Sequence, residues 1–220
     1  MNNFMKLNLL YIFLLVFFSF NSIAQKNNYG IQSSVNISSL RLSEKPTYPN
    51  VDEIVFYEPM LSYSISAYYE NITGKKYFFS IEPGYARKGA IENIYNRNEK
   101  VILELHYIQF PILINIYLFN NIYLSAGLET SYLINANYKF NDESNRIKHM
   151  YEEFVDLASL TGLNYQLAEK ININIRYSHS LFSISKILWF DDPFGQPTGG
   201  LVKERNQSFM LALRFKVFSR

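Results

Sequence analysis

The chain contains no cysteine, which excludes disulfide frameworks, thiolate metal sites, a cysteine nucleophile and a lipid-modified bacterial N-terminus. Charge is also scarce. Only 18% of the 220 residues are charged, against ~25% in an average soluble domain, so little is available to face water. No run of Lys and Arg forms a basic patch, and a formal charge of +2 is too near neutral to imply a nucleic-acid partner. Histidine is limited to His106, His149 and His179. No two of them have metal-ligand spacing, so neither a metal nor a cofactor is expected. Helical patterning is missing as well. Beyond Gln25 no stretch sustains apolar residues at i, i+3 and i+4, and none is apolar for the ~20 residues that a spanning helix needs.

What is present in quantity is hydrophobic residues, 48%, of which aromatics make 17% of the chain. Such a chain can bury or expose to lipid a large apolar surface. The length favours one domain or at most two. Its first residues, MNNFMKLNLLYIFLLVFFSFNSIAQ, place Lys6 before the apolar run Leu7 to Phe20 and the small-residue pattern Ser22-Ile23-Ala24. That layout predicts a secretory signal peptide over 1–24, cleaved after Ala24, and an exported domain over 25–220.

Along that domain the apolar residues recur with period two. Leu61, Tyr63, Ile65, Ala67 and Tyr69 alternate with Ser62, Ser64, Ser66 and Tyr68; Tyr77, Phe79, Ile81 and Tyr85 alternate with Ser80, Glu82, Gly84 and Ala86. Residues 103 to 134 form two such strands joined at Asn120-Asn121, one carrying Phe110, Ile112, Ile114, Ile116 and Leu118, the other Ile122, Leu124, Ala126, Leu128 and Tyr132. The pattern recurs around Tyr29–Ile37, Val155–Leu167, Ile171–Leu181 and Phe209–Val217, giving eight strands. An even number suits a closed antiparallel barrel. The apolar parity changes between Leu103, Leu105, Tyr107 and Phe110, Ile112, which predicts a bulge near Ile108.

Short connections at Ile72-Thr73-Gly74, Asn120-Asn121 and Ala168-Glu169-Lys170 alternate with long polar ones at 40–57, 89–100, 139–152 and 183–205. Outer-membrane barrels have short periplasmic turns and long external loops. The expected fold is therefore all-β: an eight-stranded antiparallel transmembrane β-barrel, an up-and-down meander with both termini periplasmic.

Alternation alone also fits a soluble barrel holding an apolar ligand, since either face can point inward. The composition of the polar face favours the membrane. Ser62, Ser64, Ser66, Gly84, Ala86, Ser125, Gly127, Ala158, Gly162 and Asn164 are small enough for a narrow lumen, whereas a water-facing wall carries Lys and Glu. Tyr29, Tyr63, Tyr69, Tyr77, Tyr85, Tyr132, Tyr165 and Tyr177 lie toward strand ends, as interfacial girdles require.

The segments YFFSIEPGYARKGA, LHYIQFPILINIYLFNNIYLSAGLETSYLI and INIRYSHSLFSI resemble the PorT-like outer-membrane β-barrel family of Bacteroidetes. The resemblance rests most on Glu82-Pro83 before Tyr85 and Gly89, on Pro111, on Ala126-Gly127 and on Arg176-Tyr177. It departs at Gln109, where the family often has Glu, and at His179-Ser180. It implies an outer-membrane barrel; one type of member is tied to export of proteins across that membrane.

Parity sends Glu82, Glu104, Glu129 and Asp156 inward with Arg176, Arg214 and Lys216. Glu82, Glu129, Arg176 and Arg214 are the expected lumen ion-pair network, with the two arginines bridging the two glutamates and with Glu104 and Lys216 at the wet ends. Trp189, Phe190, Asp191, Asp192 and Phe194 in loop 183–205 offer an external binding surface, or place aromatics at the membrane interface or over the barrel mouth. Ser178-His179-Ser180 imitates a serine site, but parity puts His179 on the side opposite both serines. Gly195, Gly199 and Gly200 lack phosphate-loop spacing.

The expected function is a non-enzymatic outer-membrane barrel with a plugged lumen and a surface-interaction, structural, or secretion- or assembly-associated role. Expected partners are outer-membrane lipid, the barrel-assembly machinery, and an extracellular or secretion-system protein. The alternatives are a secreted soluble barrel that binds an apolar ligand and a barrel-embedded lipid-modifying enzyme.

Overall fold

A two-faced sheet leaves unpaired N–H and C=O groups along its edges unless it closes on itself, and this one closes. The computed structural model describes residues 26–42, 56–72, 76–94, 99–140, 143–151, 153–188 and 201–220. Its strands are β1 (Lys26–Leu42), β2 (Phe56–Glu58), β3 (Met60–Ile72), β4 (Tyr77–Ile81), β5 (Gly84–Ile94), β6 (Glu99–Phe119), β7 (Ile122–Phe140), β8 (Glu143–Arg146), β9 (Val155–Ala168), β10 (Ile171–Ser180), β11 (Ser185–Leu188) and β12 (Leu201–Ser219). Neighbours pair antiparallel in chain order, and β12 returns to β1 through Val35↔Leu211 and Ile37↔Phe209.

β4 and β5 act as one strand. Both hold the same register against β6, through Ile81↔Ile112 and Gly84↔Gln109. The ladder is interrupted only at Glu82-Pro83, where proline has no N–H to donate. The gap is stitched by Ala67 N–H donating to the Pro83 carbonyl at 2.9 Å and Glu82 N–H donating to the Pro111 carbonyl at 3.0 Å. The ring is thus an eight-stranded antiparallel barrel, with β2, β8 and β11 extending single walls beyond it.

The two ends differ. At one, the turns at Asn120-Asn121 and Glu169-Lys170 lie with both ends of the described chain, where Asn27 and Arg220 exchange backbone hydrogen bonds of 2.8 and 2.9 Å. At the other end, two of the expected loops are largely strand. Segment 89–100 is mostly hairpin, since β5 runs to Ile94 and β6 starts at Glu99. Segment 139–152 continues β7 and folds back as β8 and a 3-10 turn at Lys148–Met150. These polar segments keep extending the sheet because each remains paired to a neighbouring strand. Residues 73–75, 43–55 and 189–200, from the remaining expected turn and loops, lie outside the described residues.

The apolar face points outward: Leu61 is 69% exposed, and Ile31, Val35, Ile112, Leu128 and Leu211 are exposed with it. This overturns the soluble, ligand-holding alternative, which needs that face inside. Tyr29, Tyr69, Tyr77 and Tyr165 stand on the outer wall near the turn end, and Tyr63, Tyr85, Tyr132 and Tyr177 nearer the loop end. These are two girdles with an apolar band between them.

The bulge lies on the neighbouring strand. Parity on β6 does not change from Leu103 to Tyr117: Leu103, Leu105, Tyr107, Gln109 and Pro111 all face inward, and the strand's own irregularity falls at Leu118, beside the turn. Chemistry changes instead, because the lumen turns apolar toward the loop end. The register shift is on β7, where His106 pairs with Asn135 and Tyr107 with Leu133, leaving Ile134 as the extra residue.

Candidate functional site

The lumen half nearest the turns is built from alternate residues of every strand, and its small side chains leave room for a few large charged ones. Gly30 lies beneath the Tyr68 ring, and the Arg214 guanidinium stacks on that ring at 4.1 Å. Arg176 on β10 reaches across the barrel to Glu82, Nη1 donating to Oε2 at 2.7 Å and Nη2 to Oε1 at 3.1 Å. Both side chains are fully buried. Arg214 Nη2 stands 3.1 Å from Glu70 Oε1 and 3.5 Å from Glu82 Oε1; neither contact is aligned as a hydrogen bond, so the attraction is mainly coulombic. Its Nη1 donates to the Tyr123 hydroxyl at 3.2 Å, Asn28 donates to Glu70 at 3.1 Å and Gln32 to Glu82 at 3.5 Å. Fork-shaped donors satisfy carboxylates well in a site shielded from water. The arrangement ties β10 to the β4–β5 strand and β12 to β3.

A ladder of neutral groups lines the adjoining wall. Asn174 donates to Asn164 at 2.7 Å, Asn164 to Ser125 at 2.6 Å, Ser125 to Asn115 at 2.5 Å and Asn115 to Ser80 at 3.0 Å. Five barrel positions are thereby linked through buried side chains, so these polar groups escape the cost of burial without a partner.

Glu129 is not bridged by an arginine. Its partner is Lys88 on β5 at 2.6 Å, with Ser131 donating at 3.0 Å; Arg176 and Arg214 lie nearer the turn end, where Arg176 pairs with Glu82 and Arg214 with Glu70 and Glu82. Asp156 accepts from Ser180 and from Asn206, each at 2.9 Å, and Asn206 also donates to the Tyr107 hydroxyl at 3.1 Å. Glu104 does not face the lumen. It shares the outward parity of Ile102, His106 and Ile108 and pairs on the outer wall with Arg87 at 3.1 Å and Lys139 at 2.9 Å. Lys216 is half-buried near the turn end.

Toward the loops the lumen is apolar, with Leu40, Ala90, Leu103, Leu105, Tyr107, Leu133, Ala136, Tyr151 and Ile184 in one buried cluster. Above it the Tyr57 hydroxyl donates to the fully buried Glu204. Loss of hydration, and then the Glu204 carboxylate, push the Tyr57 phenol well above its usual range, and burial does the same for Tyr151.

Sequence reasoning missed Glu70 and Lys88. Both were findable by parity: Glu70 continues the inward series Ser62, Ser64, Ser66, and Lys88 continues Glu82, Gly84, Ala86. Ser178 and Ser180 face inward, while His179 stacks on the outer-wall Tyr177 at 6.3 Å. Trp189, Phe190, Asp191, Asp192 and Phe194 lie outside the described residues. Among the described residues no group of three or more His, Asp and Glu is placed to hold a metal ion.

The architecture has solved counterparts. Neisserial surface protein A is 12% identical with a TM-score of 0.53, the match covering 87% of this chain and 99% of that one. Ail, the attachment invasion locus protein of Yersinia pestis, is 12% identical with a TM-score of 0.49 over 89% of this chain and 100% of that one. No curated protein matches the sequence. The family model for the outer membrane protein beta-barrel domain matches residues 23–186, and with the closed ring and its outward apolar wall this chain belongs to that family of the bacterial outer membrane.

Proposed function

We propose that this protein is a self-plugged, non-enzymatic outer-membrane barrel that acts through its outer surface and external loops. The observation that carries the reading is the successive filling of the lumen, first by Arg176, Arg214, Glu82 and Glu70 at full or near-full burial and then by the apolar cluster around Leu105 and Leu133. An eight-stranded barrel is only just wide enough for its own side chains. With the tight turns periplasmic, β2, β8 and β11 project outside the cell, where a surface-interaction, structural or secretion-associated role is exercised. The PorT-like resemblance favours the last of these. Delivery by the signal peptide over 1–24 and insertion by the barrel-assembly machinery belong to the same reading, as does a binding role for loop 183–205 toward an extracellular or secretion-system protein.

The non-enzymatic part is supported by the opposed parity of His179 and its neighbouring serines, whose Ser180 hydroxyl is engaged by Asp156. Planar-bilayer recording tests the proposal. Purified protein is expected to give no large, stable conductance, and a reproducible porin-sized channel overturns the plugged lumen.

A further inference from the structure

A membrane barrel keeps charge off its lipid-facing wall, where a misplaced Arg or Lys is costly at the midplane and is tolerated near the interfaces. One part of this wall breaks the pattern. Outward residues of β5, β6 and β7 align in rows through Tyr85↔Ile108↔Tyr132, then Arg87↔His106↔Asn135, then Gly89↔Glu104↔Asn137. Arg146 on β8 stands opposite Asn137. The polar rows therefore begin directly beyond the girdle that Tyr63, Tyr85 and Tyr132 form toward the loop end.

The residues are organised. Glu104, only 5% exposed, takes Arg87 on one carboxylate oxygen at 3.1 Å and Lys139 on the other at 2.9 Å, so one covered carboxylate holds two cations side by side. Arg87 stacks over Tyr63 at 5.3 Å and donates to the Leu61 carbonyl at 3.0 Å, its Nε is buried without an acceptor, and the rest of its side chain stays partly exposed. Lys139 remains 43% exposed. Lys148 Nζ sits 5.5 Å from the Tyr132 ring centroid and 5.0 Å from that of Phe154, and Arg146 is exposed beside it.

Charge segregation explains the excess. The interior holds Glu70, Glu82, Glu129, Asp156 and Glu204 against Lys88, Arg176 and Arg214, so a chain of near-zero formal charge presents surplus cations outside. Here Arg87, Lys139, Arg146 and Lys148 face outward with Glu104 as the acidic residue among them.

We infer that this patch is a binding site for the phosphate-bearing headgroup of an anionic lipid in the leaflet next to the loop end. Aromatic rings just beneath the cations fix its height at the boundary between hydrocarbon and headgroups, and Arg87 and Lys139 supply donors suited to phosphate oxygens. The inference rests on the barrel being membrane-inserted, and not on the plugged lumen or the loop orientation.

The test uses the full barrel in phosphatidylcholine nanodiscs doped with phosphatidylglycerol, extracted gently and examined for retained lipid by native mass spectrometry. Phosphatidylglycerol is expected to be retained in preference to phosphatidylcholine. The double variant Arg87→Gln/Lys139→Gln should weaken that preference about thirtyfold, from roughly a tenfold gain per 1.4 kcal/mol and ~1 kcal/mol for each cation near an anionic surface. Glu104→Gln leaves both cations in the patch but frees them from the carboxylate that holds them side by side, and should weaken the preference less than the double variant does. Lys170→Gln, in a turn at the opposite end, is the control and should change nothing. Equal retention of the two lipids, a double variant that keeps the parent's preference, or inorganic phosphate displacing the lipid at equal concentration overturns the proposal. A conducting channel with intact lipid preference sinks the plugged lumen alone.

Discussion

In the half of the lumen near the turns, Arg176, Arg214, Glu82 and Glu70 pair across the barrel among small polar neighbours; in the half near the loops, Leu103, Leu105, Leu133 and Ala136 pack as an ordinary apolar core. Both halves are inside one ring of strands, yet they hold it by opposite means. Ion pairs in the first half are costly to leave half-made, because each charge has surrendered its water. Contacts in the second half are additive and non-directional, and a truncation there leaves only a cavity.

The comparison is broken most sharply at Arg176. Arg176→Ala takes the two-pronged donor from the Glu82 carboxylate, leaving it only the longer contacts to Gln32 and Arg214, and should cost about 3 kcal/mol, read as a lower urea midpoint for the transition between folded and unfolded bands in detergent. The paired variant Arg176→Met/Glu82→Leu removes both charges and should recover most of that loss, since apolar replacements of a buried pair are often neutral. A double variant as unstable as the single one would mean that the fork fixes geometry that apolar packing cannot replace.

A loss of similar size is expected in the other half. Leu105→Ala or Leu133→Ala should cost about 2–4 kcal/mol through lost burial and a residual cavity. Neither change should show any partner rescue of the kind expected at Arg176. Tyr57→Phe, above the apolar cluster, removes a hydroxyl donor from the buried Glu204 and should cost about 1–3 kcal/mol. Limited proteolysis checks this last variant, with cleavage rising at the loop end while the turn end stays protected.

The same contrast decides how much was legible in the sequence. Where the lumen is small and polar, as along Ser62, Ser64, Ser66 or along Ser125 and Glu129, period-two alternation reveals the inward face directly. Arg176, Arg214 and Glu82 were therefore readable as inward-facing from parity. Where the lumen becomes apolar the signal inverts. Leu103, Leu105 and Tyr107 look like a lipid-facing series, which points Glu104 to the lumen and a bulge to Ile108, whereas the strand runs on unchanged there and Glu104 sits on the outer wall. Alternation reports that two faces differ, and only the chemistry of the neighbouring strands says which is inside. The pairing of Glu129 with Lys88 was illegible for another reason: parity gives a side chain's direction, but its partner depends on stagger around the ring.

Lys216 sharpens the comparison from its weakest side. It follows Arg214 on β12, but at the turn end, where the lumen opens and the side chain is only half-buried. Water then solvates the ammonium in both folded and unfolded chains, and an exposed charge of this kind contributes little to stability. Lys216→Ala should therefore shift the urea midpoint by less than the equivalent of about 0.5 kcal/mol, against several for Arg176→Ala, although both remove one inward cation. If the two variants lose comparable stability, net lumen charge rather than specific pairing holds the turn half together, and the double Arg176→Met/Glu82→Leu variant, which leaves that charge unchanged, should then stay as stable as the parent.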